Sequence, residues 1–293
     1  MTSQGISSPI DFSRFFIPEE LTPLYHTPCY AWLTGAQRLR YNQLHACYFN
    51  EQTIFFESVM AQRILSYFVK QSLPGGLSEG LRQFIAEEAR HSEMFRQLNR
   101  QCLPHRYANG DFYFIRVPAF LSSLLRGWVR RPKYFPLFVW LLLIEEERSL
   151  FYAKEFLKSA ATLEPHFIST QKTHLADEVG HVRWDEELLD WIWPQTGGKL
   201  RRVNAQIFKW LVSEYFNTPK RGGWRVVEEL VAEDSALRPR LLELKAAVRR
   251  LAKNRGYHLS LYSRSITPKA FQRFDCCPEF HSIGDILLGY TLP

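Results

Sequence analysis

Apolar residues recur along most of this 293-residue chain at three- and four-residue intervals, the period of a helix with one buried stripe. From Ala36 to Gln71 no Pro or Gly interrupts, and Ile54, Met60, Ala61 and Ile64 share a stripe, which predicts one long helix. Pro74, Gly75 and Gly76 break it. Ser78 to about Cys102 then reads as the antiparallel return, with Leu81, Phe84, Ile85 and Phe95 on one side. A connection from Pro104 to Pro118 and a short crossover helix, Ala119 to Trp128, lead to a second pair of helices. These run from Phe135 to about Ala161 and from Ile168 to Trp193, where Pro194 and Gly197-Gly198 end the pattern. Two helical pairs joined by a crossover predict an all-α four-helix bundle. Residues 1–33 are broken by Pro9, Pro18, Pro23 and Pro28 and read as a wrap. Beyond the bundle, helical patterns at about Leu200–Phe216, Val226–Ala232 and Pro239–Asn254 predict peripheral helices, and Pro268–Pro293 reads as a terminal wrap with aromatic anchors. No linker argues for a second domain, so 1–293 is expected as one: a wrap (1–35), the bundle (about 36–195) and an extension (196–293).

Polar residues interrupt the apolar stripes at matching places. Glu57 stands thirty-one positions before Glu88, with His91 three residues on; Glu147 stands thirty-one before Glu178, with His181 three residues on. Glu-x-x-His puts a carboxylate and an imidazole on one helical face, and a Glu from the preceding helix completes half of a carboxylate-bridged metal pair. Among Glu145, Glu146 and Glu147, the last has only apolar neighbours one turn away (Leu143, Ile144, Leu150, Phe151), so it is the one expected to face the core. Any one of these six could be an ordinary buried ion pair. Four carboxylates converging on one core are another matter, because burial and mutual repulsion oppose their ionisation unless cations are present. Four Glu balance two divalent ions, and the excess charge of two trivalent ions suits an oxygen-derived bridge, so redox chemistry with O₂ as co-substrate is expected. Oxygen and imidazole donors favour iron, with manganese second. His174, one turn before Glu178, is placed either to add a third nitrogen donor or to hydrogen-bond a ligand. Glu87 and Asp177, each preceding a candidate ligand, are placed to fix an imidazole's tautomer or to be solvated helix acids.

Composition narrows the partners. The net charge of +7 belongs to the C-terminal third, where residues 196–293 hold 17 Lys and Arg against 9 Asp and Glu. No nucleic-acid motif accompanies it, so an acidic partner or a solvated face is the choice it leaves. Five cysteines without a C-x-x-C pair are expected as reduced thiols. The longest apolar run, Phe135–Ile144, is ten residues, about half of the ~20 that span a bilayer, so no membrane is expected. The N-terminal sequence has no basic start followed by an apolar stretch, and a cytoplasmic location is the expectation.

The segments FNEQTIFFE around Glu57, EEARH at 87–91, IEEERSLFY around Glu147 and HLADEVGH at 174–181 together resemble the ferritin-like di-iron oxygenases typified by p-aminobenzoate N-oxygenase, over roughly residues 36–195. The narrower feature is His174, because that family is marked by an extra histidine on one iron; the resemblance implies that His174 is a ligand. Glu87 departs from it, standing where the family's wording has Asp. What the resemblance implies is a ferritin-like fold, two irons held by Glu57, Glu88, His91, Glu147, His174, Glu178 and His181, and oxidation of an arylamine to hydroxylamine, nitroso or nitro product through a peroxo-di-iron(III) species. Alternatives are a di-iron hydroxylase or desaturase acting on a carrier-bound acyl or aminoacyl group, and a ferritin-like iron-oxidising protein. No G-x-G-x-x-G fingerprint follows a strand, so an external ferredoxin or reductase is expected to supply electrons, and a homodimer is the default assembly.

Overall fold

The structure, a computed structural model, describes residues 8–217 and 220–292; the ends of the two expected wraps, residues 1–7 and 293, lie outside the described residues. Among the described residues the only strand-like pairing is an isolated bridge between Phe15 and Leu163, and the remainder is helix and turn. The fold is an all-α, ferritin-like bundle.

Helix α1 (Gly35–Ile54) starts at a reciprocal cap: Gln37 N donates to Thr34 Oγ1 at 3.2 Å, and Thr34 N donates to Gln37 Oε1 at 2.9 Å. It runs without a break through a π-helical segment, Phe55–Ala61, into α2 (Gln62–Phe68). The single long helix expected here is therefore locally widened and underwound at the place where Glu57 sits, and π-helical turns are often found at functional sites. After Pro74-Gly75-Gly76, with Gly75 at φ +54°, α3 (Leu77–Cys102) returns along α1 and α2. A crossover helix α4 (Ala119–Val129) precedes α5 (Leu137–Lys158) and α6 (Pro165–Gln195), which pack on each other, and α6 also packs on α3. Helix α6 is pinned at its start by Pro165 in the first turn and by Glu164, whose carboxylate accepts from His166 N and Phe167 N at 2.7 and 3.1 Å.

The C-terminal third encloses this bundle. Helix α7 (Gly198–Leu211) ends in a second π-helical segment, Val212–Phe216; α8 (Lys220–Glu233) packs on α1. Helices α9 (Leu241–Arg250) and α10 (Arg255–Leu261) follow, the latter unforeseen in the sequence pattern. The expected terminal wrap begins as a true helix, α11 (Pro268–Cys276), which packs on α5 and buries Phe271 and Phe274 at a three-residue spacing. Its aromatic anchors are real: Trp140 of α5 stacks on Phe274 at 5.3 Å and tilts on Phe280 at 4.5 Å, pairs each worth about 0.5–1.5 kcal/mol beyond their buried area. As a result α5 is covered all round, and every residue from Leu137 to Glu147 is buried.

The connection between α3 and α4 is held by a carboxylate. Glu51, fully buried on α1, accepts from Tyr113 N, Phe114 N and Ile115 N at 2.7–3.0 Å and from the Tyr107 hydroxyl at 2.8 Å. The apolar run that includes Phe135–Ile144 is a core helix, and among the described residues no helix is long and apolar enough to cross a membrane. All five cysteines are free thiols.

Candidate metal centre

Four helical segments deliver seven side chains to one point in the core. One ligand atom each from Glu57, His91 and His174 lies within 4.8 Å of the others, and the same holds for Glu88, Glu146, Glu178 and His181. Each of the seven is buried. Two carboxylates join the halves. Glu178 Oε1 is 2.8 Å from His174 Nε2 and 3.4 Å from His181 Nδ1, and Glu88 Oε1 is 3.4 Å from both His91 Nδ1 and His181 Nδ1.

Six of the seven ligands expected from the sequence meet here, and one does not. Glu147 is buried as anticipated but points the other way, accepting from Lys269 N and Ala270 N at 2.8 Å each at the start of α11. The acid in the cage is Glu146. Successive residues on a helix are turned by about 100°, so the three acids of α5 reach three separate partners. Glu145 pairs with Arg148 and accepts from the Tyr262 hydroxyl at 2.6 Å, Glu146 enters the cage, and Glu147 caps α11. Apolar neighbours singled out Glu147 only because α5 is buried on its far side too. The equal thirty-one-residue interval misled for a related reason: it spans an inter-helix loop, whose length carries no register. Glu146 precedes Glu178 by thirty-two.

The neighbours of the cage orient it. Asp177 Oδ2 lies 2.9 Å from His91 Nε2, and Glu87 Oε2 lies 3.1 Å from His181 Nε2, so each acid serves the imidazole of the opposite helix. An Nε2–H donated to the acid leaves each Nδ1 as a lone pair aimed into the cage. The departure from Asp at position 87 is met by reach, since the longer Glu side chain spans from α3 to α6. His174 is turned round: its Nε2 faces Glu57 (3.2 Å) and Glu178, and Nδ1 faces the Ser149 hydroxyl at 3.4 Å. Ser92 donates to Glu57 Oε2 at 3.0 Å, a contact the sequence did not signal. Phe84 stacks on His181 with centroids 3.8 Å apart and screens that side from water. Asp185, one turn after His181 and fully buried, has neither carboxylate oxygen hydrogen-bonded; burial holds its pKa well above the usual range.

The same fault runs through the cage itself. Both oxygens of Glu88 and Glu178, together with Nδ1 of His91 and His181, are buried without a hydrogen-bond partner. Native cores leave a few such atoms unpaired per hundred residues, scattered singly, and six converging on one point are another matter. Burial pushes Glu88 and Glu146 well above the usual carboxylate range, with Glu57 repelling the first and Glu178 the second. Burial also pulls His91 down to about 4, while at His174 and His181 the Glu178 carboxylate overrides burial and lifts them to about 10 and about 12. Protons on these groups are what a cage of this kind holds when no cation neutralises it. The donor set, oxygens and imidazole nitrogens without thiolate, fits two iron or manganese ions.

A ferritin-like bundle with a Glu and a Glu-x-x-His from each helical pair, all pointing inward, defines the class of carboxylate-bridged di-iron proteins. Within it, residues 7–250 match the family described as p-aminobenzoate N-oxygenase AurF; with most of its length matched, the chain belongs to that family. Comparison with curated proteins finds no match.

Proposed function

We propose that the chain is an N-oxygenase that holds two irons in this cage and oxidises an arylamine nitrogen with O₂. Glu57, His91 and His174 would hold one ion, Glu146 and His181 the other, with Glu88 and Glu178 shared between them. The observation that carries the reading is the set of six unpartnered buried atoms of Glu88, Glu178, His91 and His181, with the third imidazole of His174 turned into the same space. Family membership supports the reaction class. When bound, the irons supply electrons to O₂ and a site at which an oxygen atom is passed to nitrogen.

The chain's own residues prepare that chemistry. Asp177 and Glu87 hold the Nε2 protons of His91 and His181 and so keep both Nδ1 atoms available. Phe84 and Phe95 cover the imidazoles of His181 and His174, at 3.8 and 5.3 Å between centroids, and exclude water. His174, with Nε2 turned toward Glu57 and Glu178, would add a third imidazole nitrogen to the donor set, a neutral electron-rich ligand that would favour oxidation at nitrogen over C–H bonds. Electrons come from a separate ferredoxin or reductase, and the location is cytoplasmic.

The test is anaerobic Fe(II) loading followed by O₂ and a panel of arylamines. Two irons per chain, with hydroxylamine, nitroso or nitro products by mass spectrometry, are expected. Fewer than two bound irons, or two irons with no oxidised nitrogen from any amine, would overturn the reading. A His174→Ala variant that still N-oxygenates at the wild-type rate would remove the role given to that imidazole.

A further inference from the structure

Beside Glu57, Glu146 and His174 lies an inner chamber of about 60 Å³, walled by Phe49, Gln52, Phe56, Tyr152 and Phe216. That is less than half of the ~150 Å³ of a cavity that admits one benzene molecule. Gln52, Phe56 and Phe216 also wall the next chamber outward, of about 100 Å³. Phe56 and Phe216 meet edge to face there with centroids 6.5 Å apart, each contributed by a π-helical segment. The outer chamber shares Phe55, Met60, Ile115 and Leu125 with a wider mouth of about 340 Å³. Along this path a ring whose nitrogen reaches the cage extends past Phe56 and Phe216, and whatever it bears opposite the nitrogen lies further from the cage.

Charge along this path is graded. The inner chamber contains three acids, Glu57, Glu145 and Glu146, together with His174, which is engaged by Glu57 and Glu178, and one guanidinium, Arg148. Arg148 is committed: it pairs with Glu145, donates to the Tyr262 hydroxyl at 2.6 Å, and lies over the rings of Tyr152 and Tyr262 at 5.7 and 5.2 Å. A carboxylate on the ring would meet no free donor cation there. The outer chamber carries Arg116 and Arg221 beside a single acid, Glu214, and the mouth carries Arg63 and Arg126. Among the described residues neither Arg116 nor Arg221 has an ion pair or a hydrogen bond from its guanidinium, whereas Arg126 is hydrogen-bonded to Ser122 and Ser123.

We infer that the substrate is an elongated arylamine whose anionic group stands beyond the reacting ring, received by Arg116 and Arg221, and that a simple aminobenzoate is a poor ligand. This rests on the N-oxygenase reading for the word arylamine; the graded chambers supply the rest. The step is unchanged in kind: one oxygen atom of O₂ goes to nitrogen, the other to water, with two electrons from the external donor for each oxygen atom inserted.

The experiment is titration calorimetry of the full chain with three probes that differ only in where charge lies: 4-aminobenzoate (on the ring), 4-aminobenzamide (none) and N-(4-aminobenzoyl)glycine (one residue beyond). N-(4-aminobenzoyl)glycine is expected to bind about tenfold more tightly than the amide, and 4-aminobenzoate more weakly than both. The double variant Arg116→Gln, Arg221→Gln should erase that tenfold advantage and leave the amide unchanged, with an unaltered melting temperature. Raising salt should weaken only N-(4-aminobenzoyl)glycine. Tightest binding by 4-aminobenzoate, equal loss for all three probes in the double variant, or no binding by any of them would overturn the inference. Turnover of the same probes separates the two conclusions: oxidised 4-aminobenzoate with the reverse binding order keeps the N-oxygenase and removes the elongated substrate. The expected binding order without oxidation does the opposite.

Discussion

Replacing Glu146 and Glu147 by alanine, one at a time, separates a cage residue from its chain neighbour. Glu147 is the acceptor for Lys269 N and Ala270 N, each at 2.8 Å, in the first turn of α11. Removing it leaves two amides at a helix N-terminus without that acceptor and opens a gap against a helix that buries Ala270, Phe271 and Phe274. The loss of one cap costs typically about 1 kcal/mol, and the second bond adds a similar amount, about 2 kcal/mol together. In a chain of this size that lowers Tm by about 3 °C. Bound iron should stay at two per chain. Glu146→Ala should behave in the opposite way: one of four cage carboxylates is lost and iron falls toward one per chain. Metal analysis after desalting, paired with calorimetric melts of metal-free protein, reads both effects. A Glu147→Ala protein that melts normally and loses iron, or a Glu146→Ala protein that keeps two irons, would refute the assignment.

Three further outcomes follow from the same geometry. Metal loading should release protons, because Glu88 and Glu146 are raised well above the carboxylate range and His174 and His181 stand at about 10 and about 12, so these groups enter the binding step protonated at neutral pH. Affinity should therefore rise as the pH is raised from mildly acidic to mildly alkaline, and a pH-indicator titration in weak buffer that detects no release would contradict the cage. Asp177→Asn should weaken metal binding by about 10–100-fold through His91, and Glu87→Gln should do the same through His181, measured by competition with a chelator. Gly80→Ala should destabilise by about 1–3 kcal/mol, since a Cβ at that position would overlap the Trp184 indole, which is wedged against Phe84; a variant melting like the wild type would show that the indole can move.

Sequence alone determined the elements and most of the chemistry. The helical pairs were legible because Pro74-Gly75-Gly76 and the Pro and Gly around 194–198 punctuate long 3.6-residue periods, and two Glu-x-x-His motifs were legible because a three-residue spacing on a helix is a local relation. Polar side chains where hydrophobes belong marked Glu57, Glu88, His91, His174, Glu178 and His181. What tertiary structure decided is everything that depends on which surfaces meet. Glu146 replaced Glu147 in the cage because α11, more than a hundred residues after α6 begins, packs on the far side of α5 and removes the polar contrast that would have shown an inward face. The crossed pairing of Asp177 with His91 and Glu87 with His181 arises only where α3 and α6 lie side by side. The graded chambers depend on two π-helical turns, Phe55–Ala61 and Val212–Phe216, which have no sequence period of their own and take shape from the packing around them. Periodicity reports how each helix divides its faces, whereas partner and register across helices are set by shape and charge between segments distant in the chain.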